Sequence, residues 1–204
     1  MADFDRLTLR TDRLLLRPLR ATDAPAIFAI RSDPTIMRYA SSLPLTSPDQ
    51  AEAFIARESA GMAARESLRL GLQRLGDAAL IGTCILFHMN AQCRRAEVGY
   101  ELRHDAWGRG YMHEALRALL HFGFTELGLN RVEADIDPRN VASARSLERL
   151  GFAKEGLLRQ RWIVDGEVSD SALYGLLLGD WQSQLERDAG FSLLPLAGEG
   201  AGGG

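Results

Sequence analysis

The stretch AWGRGYMHEA, residues 106–115, places two glycines, Gly108 and Gly110, between a strand-like run and a long helical pattern. Upstream, RRAEVGYEL (residues 94–102) alternates in a regular pleat, with Val98, Tyr100 and Leu102 facing one way and Glu97, Gly99 and Glu101 the other. Downstream, Met112, Ala115, Leu116, Leu119, Leu120, Gly123 and Leu127 fall on one stripe, which predicts an amphipathic helix ending at Leu127-Gly128. A strand that turns into a helix through glycines exposes the helix's unpaired N–H groups, and those groups with the helix dipole favour an anion such as a pyrophosphate. A plain tight turn accounts for the same spacing equally well. The stretch lacks the lysine and Ser/Thr of a P-loop and the third glycine of a dinucleotide fingerprint.

Working outward, residues 13–19 read as a strand, and helical patterns run over residues 22–39 and 47–63, joined by the loop YASSLPLTSP. Thr22-Asp23-Ala24-Pro25 has the form of a helix start. SLRLGLQRL alternates Leu68, Leu70 and Leu72 with polar residues and glycine, and GDAALIGTCILFHMN follows as a more buried strand, so the two predict a hairpin. After the central helix, RVEADI resumes as a strand, and NVASARSLERLG is a short helix that Asn140 can cap and Gly151 can stop. Asp165-Gly166 marks the turn of a last hairpin. The expected order is strand, two helices, three strands, helix, strand, helix and two strands. That is one α/β domain over residues 1–189 with a mixed sheet, followed by a glycine-rich disordered tail over residues 190–204. The short turns exclude a wholly parallel sheet.

With 204 residues, a formal net charge of -3 and 25% charged residues of both signs, bulk charge gives no footprint for nucleic acid. The two cysteines, Cys84 and Cys93, read as reduced core thiols without metal-ligand spacing, so no metal is expected. The charged opening MADFDRLTLRTDRLLLRPLR has no apolar segment of leader type, and no stretch approaches a membrane span, so the expected location is cytoplasmic.

The ordered set RLLLRPL, AEVGYEL, WGRGYMHEAL, NVASARSLERLGF and DGEVSDSALYGLLLGDW resembles the GNAT superfamily of acetyl-CoA-dependent N-acetyltransferases. Within it the chain is most similar to the RimJ/RimL branch, which includes ribosomal-protein N-terminal alanine and serine acetyltransferases. The resemblance covers residues 8–181. It implies a mixed, mostly antiparallel central sheet with a splayed parallel strand pair and flanking helices. It also implies that Tyr100, Glu101 and Leu102 bind the pantetheine arm of acetyl-CoA. By the same resemblance Trp107, Gly108, Arg109, Gly110, Tyr111 and Met112 bind its pyrophosphate, and Asn140 and Ser143 line the thiol end. Trp107 and Met112 depart from the superfamily's general pyrophosphate motif, although W-G-x-G-Y-M occurs in this branch.

Transfer from a thioester to an amine needs an unprotonated amine, a polarised carbonyl and a proton for the departing thiolate. An α-amine, with a pKa of about 7.7–8, needs only a modest base, whereas lysine at about 10.4 must be shifted far more. Glu97 is the first choice for that base, acting through a water, and Glu101 is the fallback; the other reading of Glu97 is an exposed strand carboxylate. Backbone N–H groups near Tyr100 can serve as an oxyanion hole. The tyrosine that many GNAT enzymes place after the last helix is missing from GFAKEGLLRQRWIVDG, where Trp162 stands instead. Ser143 is the alternative acid the branch suggests; a simple helix cap explains Asn140 and Ser143 equally well. Tyr174 reads as packing, His113 as solvent-facing, and Asp170 either contacts the amine or braces the hairpin. Arg38, Tyr39, Ser41, Ser42 and Trp162 are acceptor-side candidates by position.

The expected function is direct acetyl transfer, in a ternary complex, to a primary amine, with a protein N-terminal α-amine first. Small amines (polyamines, amino acids, antibiotics) come next, then a non-catalytic acyl-CoA-binding regulator and, last, a doubly wound nucleotide-binding domain. The expected partners are acetyl-CoA and the acceptor, with neither nucleic acid nor membrane; a homodimer is left open.

Overall fold

The computed structural model describes residues 4–187. Short strands β1 (Leu9–Arg10) and β2 (Leu14–Arg17) lead into helices α1 (Ala24–Arg31), α2 (Pro34–Met37) and α3 (Pro48–Ala63). A meander of β3 (Leu68–Arg74), β4 (Leu80–Asn90) and β5 (Arg95–Leu102) then runs into α4 (Tyr111–Thr125). β6 (Arg131–Ile136), α5 (Val141–Arg149), the hairpin of β7 (Ala153–Val164) and β8 (Glu167–Leu177), and α6 (Leu178–Arg187) complete the described chain. The strands form one eight-stranded sheet in the order β1-β2-β3-β4-β5-β6-β8-β7.

Neighbouring strands are antiparallel except β5 and β6, which pair in parallel only from Arg95 opposite Arg131 to Glu97 opposite Glu133. Beyond that point β5 stays on β4 as far as Leu102 opposite Gly82, while β6 stays on β8 as far as Ile136 opposite Ala172. The two strands therefore diverge, and their facing edges carry no ladder from Val98 and Ala134 onward. This is the mixed sheet that the sequence pattern predicts, with the splayed parallel pair that the resemblance implies.

The alternation of each strand sets the layers. Leu68, Leu70, Leu72, Cys84, Leu86, Ala96, Val98, Val132 and Ala134 turn to one face, where they pack with Leu116, Leu119 and Leu120 of α4 and Trp181 of α6. A smaller cluster of Leu19, Ile27, Ala51, Phe54, Ile55 and Leu80 joins α1 and α3.

Several boundaries differ from the sequence reading. The pattern over residues 22–39 is broken into α1 and α2, because Asp33 precedes Pro34 and takes extended backbone (φ -76°, ψ 113°) while its carboxylate caps Thr35. The expected helix end at Leu127-Gly128 falls instead at Thr125. Helix α6 was not foreseen: the apolar run that forms β8 continues into it without a turn signal. Cys84 is buried as expected, but Cys93 is exposed in the turn between β4 and β5. The glycine-rich tail expected from Gly190 lies outside the described residues. Among the described residues no helix is long and apolar enough to cross a membrane.

Candidate active site

The fork between β5 and β6 opens toward the glycine loop. After β5 the chain makes a short 3-10 turn (His104–Ala106), and the Trp107 indole Nε1 donates to the Leu102 carbonyl at 2.7 Å, folding the loop back on the strand end. Gly108 and Gly110 both take left-handed backbone, with φ of 70° and 79°. That conformation costs a residue with a Cβ about 1–2 kcal/mol, so glycine is the natural occupant. Gly110 is the N-cap of α4 and supplies no side chain, so the first-turn N–H groups are left for an outside acceptor. A Cβ at Gly108 would meet nothing within 4 Å, which makes this an open backbone cradle. The residues present thus fit a pyrophosphate. Met112 turns its side chain into the core, so only its backbone is left for that purpose.

Sequence reading missed what holds the loop. Glu114, in the first turn of α4, accepts from the Thr11 hydroxyl at 2.5 Å, from the Arg13 backbone at 2.9 Å and from Arg13 Nε at 2.6 Å. Arg13 Nη1 also donates to the Arg109 carbonyl at 2.9 Å, and its guanidinium lies 4.5 Å from the centre of the Tyr111 ring. The β1–β2 turn is thereby fastened to the loop, with a cation beside it. RLLLRPL and HEA each held half of this contact, but nothing in one dimension joins residues 101 positions apart.

At the vertex of the fork, Glu97 sits where the parallel pairing stops, and its Oε2 lies 3.1 Å from His88 Nδ1. Tyr100, three residues on, points to the opposite face, where its hydroxyl lies 2.7 Å from that of Ser143. Asn140 Oδ1 accepts from the Ser143 backbone at 3.1 Å, capping α5, and Ser143 is buried. Burial pushes the Tyr100 phenol up to about 12, against the lowering effect of its bond to Ser143, so it stays a neutral donor or acceptor at working pH. A carboxylate and a pair of hydroxyls therefore flank the diverging strand from opposite sides.

Several of the remaining candidates gather on the Glu97 side. Glu101 is held by Arg31 at 2.7 Å and by Thr83 at 3.2 Å, and Arg31 also donates to Ser42 at 3.1 Å. Arg38 and Arg139 both bind Glu167, at 3.0 and 2.6 Å, with their guanidinia 5.6 and 5.8 Å from the Tyr39 ring centre. The Arg139 guanidinium holds the Asp137 carboxyl below its usual range. Trp162 Nε1 points to Asp135 at 3.4 Å, beside Arg161 at 3.1 Å. Asp170 accepts from the Gln160 backbone at 2.8 Å at a bulge of the β7–β8 hairpin, a bracing contact. Ser41 is exposed and Tyr174 is buried in the core with its hydroxyl 3.5 Å from Glu148. His113 is half-buried rather than solvent-facing; it stands one helical turn before Arg117, which is buried beside Trp181 of α6. Among the described residues no group of His, Cys, Asp and Glu could hold a metal ion.

Known proteins share this architecture. A family model described as an acetyltransferase (GNAT) domain matches residues 13–153. The chain is 39% identical over 170 residues to the uncharacterized N-acetyltransferase YoaA of Bacillus subtilis, covering 83% of this chain and 96% of that protein. It is 34% identical over 84 residues to a [Ribosomal protein uS5]-alanine N-acetyltransferase of Escherichia coli, covering 41% of this chain and 43% of that one. Its fold is similar to that of Mycobacterium smegmatis RimJ in complex with CoA-disulfide, with a TM-score of 0.80 over 93% of this chain and 98% of that chain at 22% identity.

Proposed function

The chain belongs to the GNAT acetyltransferases, and on that premise we propose that its acceptor is the free α-amine of a protein N-terminus in the cytoplasm, with ribosomal proteins the first substrates to try. It is an acetyl-CoA-dependent N-acetyltransferase; the proposal concerns the acceptor and the residues that serve it.

The observation that carries the reading is the charge pattern on the Glu97 face. Glu101, Glu133, Asp135, Asp137 and Glu167 each hold at least one arginine. Glu97 is matched by no arginine among the described residues and has the His88 imidazole as its partner. A cleft for a polycation would leave several carboxylates unmatched, whereas a carboxylate without an arginine at the vertex of the fork suits a single amine of modest basicity.

In this reading the backbone N–H groups of the loop from Trp107 to Met112 hold the pyrophosphate, and the unpaired edge of Tyr100, Glu101 and Leu102 pairs with the pantetheine arm. The bound thioester supplies the acetyl group. Glu97 removes a proton from the acceptor ammonium through a water. Backbone N–H groups of β5 steady the charge that develops on the carbonyl oxygen. Ser143, oriented by Asn140 and Tyr100, relays to the sulfur the second proton that the nitrogen loses as the C–S bond breaks. Arg38, Tyr39, Trp162 and Asp170 shape the acceptor mouth.

The test measures release of free coenzyme A from acetyl-CoA with Ala- and Ser-starting peptides, N-terminally blocked peptides containing lysine, polyamines and aminoglycosides, for wild type and Glu97→Gln. Turnover confined to unblocked peptides and reduced in the variant supports the proposal. Preference for a polyamine or an antibiotic would overturn the acceptor class, and tight binding without turnover on any amine would favour a non-catalytic acyl-CoA binder.

A further inference from the structure

We infer that His88 is the proton exit of this site, passing to bulk solvent the proton that Glu97 takes from the acceptor. The inference rests on Glu97 acting as the base, and it starts from stoichiometry. An ammonium acceptor and a thioester give an amide, a thiol and one proton: the C–N bond forms, the C–S bond breaks, the sulfur leaves with a proton, and one more is set free. That proton first resides on Glu97, whose side chain retains 24% of its exposure, and it must leave before the next turnover.

The route out is visible in the backbone. Phe87 stands opposite Glu97 in the β4–β5 register, so a regular pleat would send the next residue, His88, to the other face. Instead the register shifts between Phe87 and Asn90, and His88 takes left-handed backbone with φ 49°. Left-handed backbone is uncommon for a residue other than glycine, and bulges of this kind re-aim side chains beside functional sites. Here the result is an imidazole 74% exposed to solvent with Nδ1 3.1 Å from Glu97 Oε2. The Phe87 ring, 4.6 Å from the imidazole centre, backs it on its own strand. The other charged groups nearby are engaged with one another: Glu133 on β6 binds Arg95 of β5 at 2.6 Å and Arg131 at 2.8 Å, and Arg131 also binds Glu155. Imidazole, whose ordinary pKa is about 6.5, is the side chain suited to accept and release a proton at neutral pH.

Steady-state rates are measured for His88→Ala, His88→Gln and Glu97→Gln, with far-UV circular dichroism to check folding. His88→Ala should lower kcat at least about tenfold with little change in the acetyl-CoA KM, and added imidazole should restore it in proportion to its concentration. His88→Gln, which can keep the hydrogen bond but carries no exchangeable acid-base pair in this range, should stay slow. A folded His88→Ala enzyme with the wild-type kcat, independent of buffer, overturns the relay. If Glu97→Gln is as slow as expected in that case, the relay alone has failed; if Glu97→Gln is fully active, the base assignment has failed and the relay with it. A second readout needs no turnover: in the protein without coenzyme, Glu97→Gln should move the His88 ring resonances in the NMR spectrum, because the side chain 3.1 Å from Nδ1 has changed. Unchanged ring resonances would show that the two side chains are not paired in solution.

Discussion

Arg31 Nη1 donates to Glu101 Oε2 at 2.7 Å, and the two side chains keep only 11% and 12% of their exposure. The pair joins the end of α1 to the diverging part of β5, and the same guanidinium reaches Ser42 in the acceptor-side loop and lies 4.3 Å from the Phe54 ring centre. Glu101 is thus occupied as a clamp, which is why Glu97 remains the base of choice. Removing one partner of a fully buried pair costs about 3–5 kcal/mol; this pair is slightly wetter, so Arg31→Ala or Glu101→Gln should cost about 2 kcal/mol. In a domain of this size that is a fall in Tm of about 4–8 °C. A double-mutant cycle by thermal denaturation should return a coupling energy; strict additivity would mean that the contact contributes nothing.

The glycine loop allows stability and binding to be separated. Gly108→Ala places a methyl group in open space at φ 70°, so the protein should lose only about 1–2 kcal/mol. The same methyl would stand in the cradle proposed for the pyrophosphate, so the acetyl-CoA KM should rise tenfold or more while the acceptor KM changes little. Equal coenzyme A affinity by calorimetry in wild type and variant would remove the loop from the cofactor site.

The Tyr100–Ser143 contact carries a pH signature. Burial raises the Tyr100 phenol from its ordinary value near 10 to about 12. A folded-state pKa above the unfolded one means that the associated stability is complete below about pH 10 and is lost as pH rises through about 12. Burial also raises Cys84, so both groups weaken the fold in alkali. Tyr100→Phe should flatten the decline of Tm between pH 10 and 12 relative to wild type, whereas Ser143→Ala, which removes the one contact that lowers the phenol, should keep the decline and lower kcat. Identical slopes for Tyr100→Phe and wild type would show that the phenol is not held in its neutral form.

The contrast between what sequence reveals and what it hides follows the range of the interactions. Alternation in RRAEVGYEL and the 3.6-residue stripe after Gly110 are local, so the strand–loop–helix unit and the opposite facing of Glu97 and Tyr100 could be read directly. The N-cap at Asn140 is equally local and stands where it was expected. His88 was passed over because a bulge leaves no mark in the residue pattern, and without it His88 would be assigned to the wrong face. Arg13, Glu114 and Arg31 reach partners 70 or more positions away, so their roles appear only when the chain is folded. Helix α6 was missed for a related reason: Trp181, 1% exposed and stacked on Phe124, is fixed by tertiary packing and not by a start signal of its own.

The two cysteines give a test of the fold that requires no substrate. Cys84 lies on β4 facing the core, and burial pushes its thiol up to about 12, so at pH 8 it is protonated and out of reach of a thiol reagent. Cys93 is exposed in the β4–β5 turn, where its backbone N–H donates to Asn90 Oδ1 at 2.8 Å. An aromatic disulfide reagent should therefore modify one thiol per chain in the native state and two in guanidinium chloride, with the second appearing at the unfolding rate. Cys93→Ser should leave the native protein unreactive and acetyl transfer intact, as expected for direct transfer without an acyl-cysteine. Rapid modification of both thiols in the folded protein would show that β4 is not held against α4, and loss of turnover in Cys93→Ser would point to an acyl-cysteine intermediate in place of direct transfer.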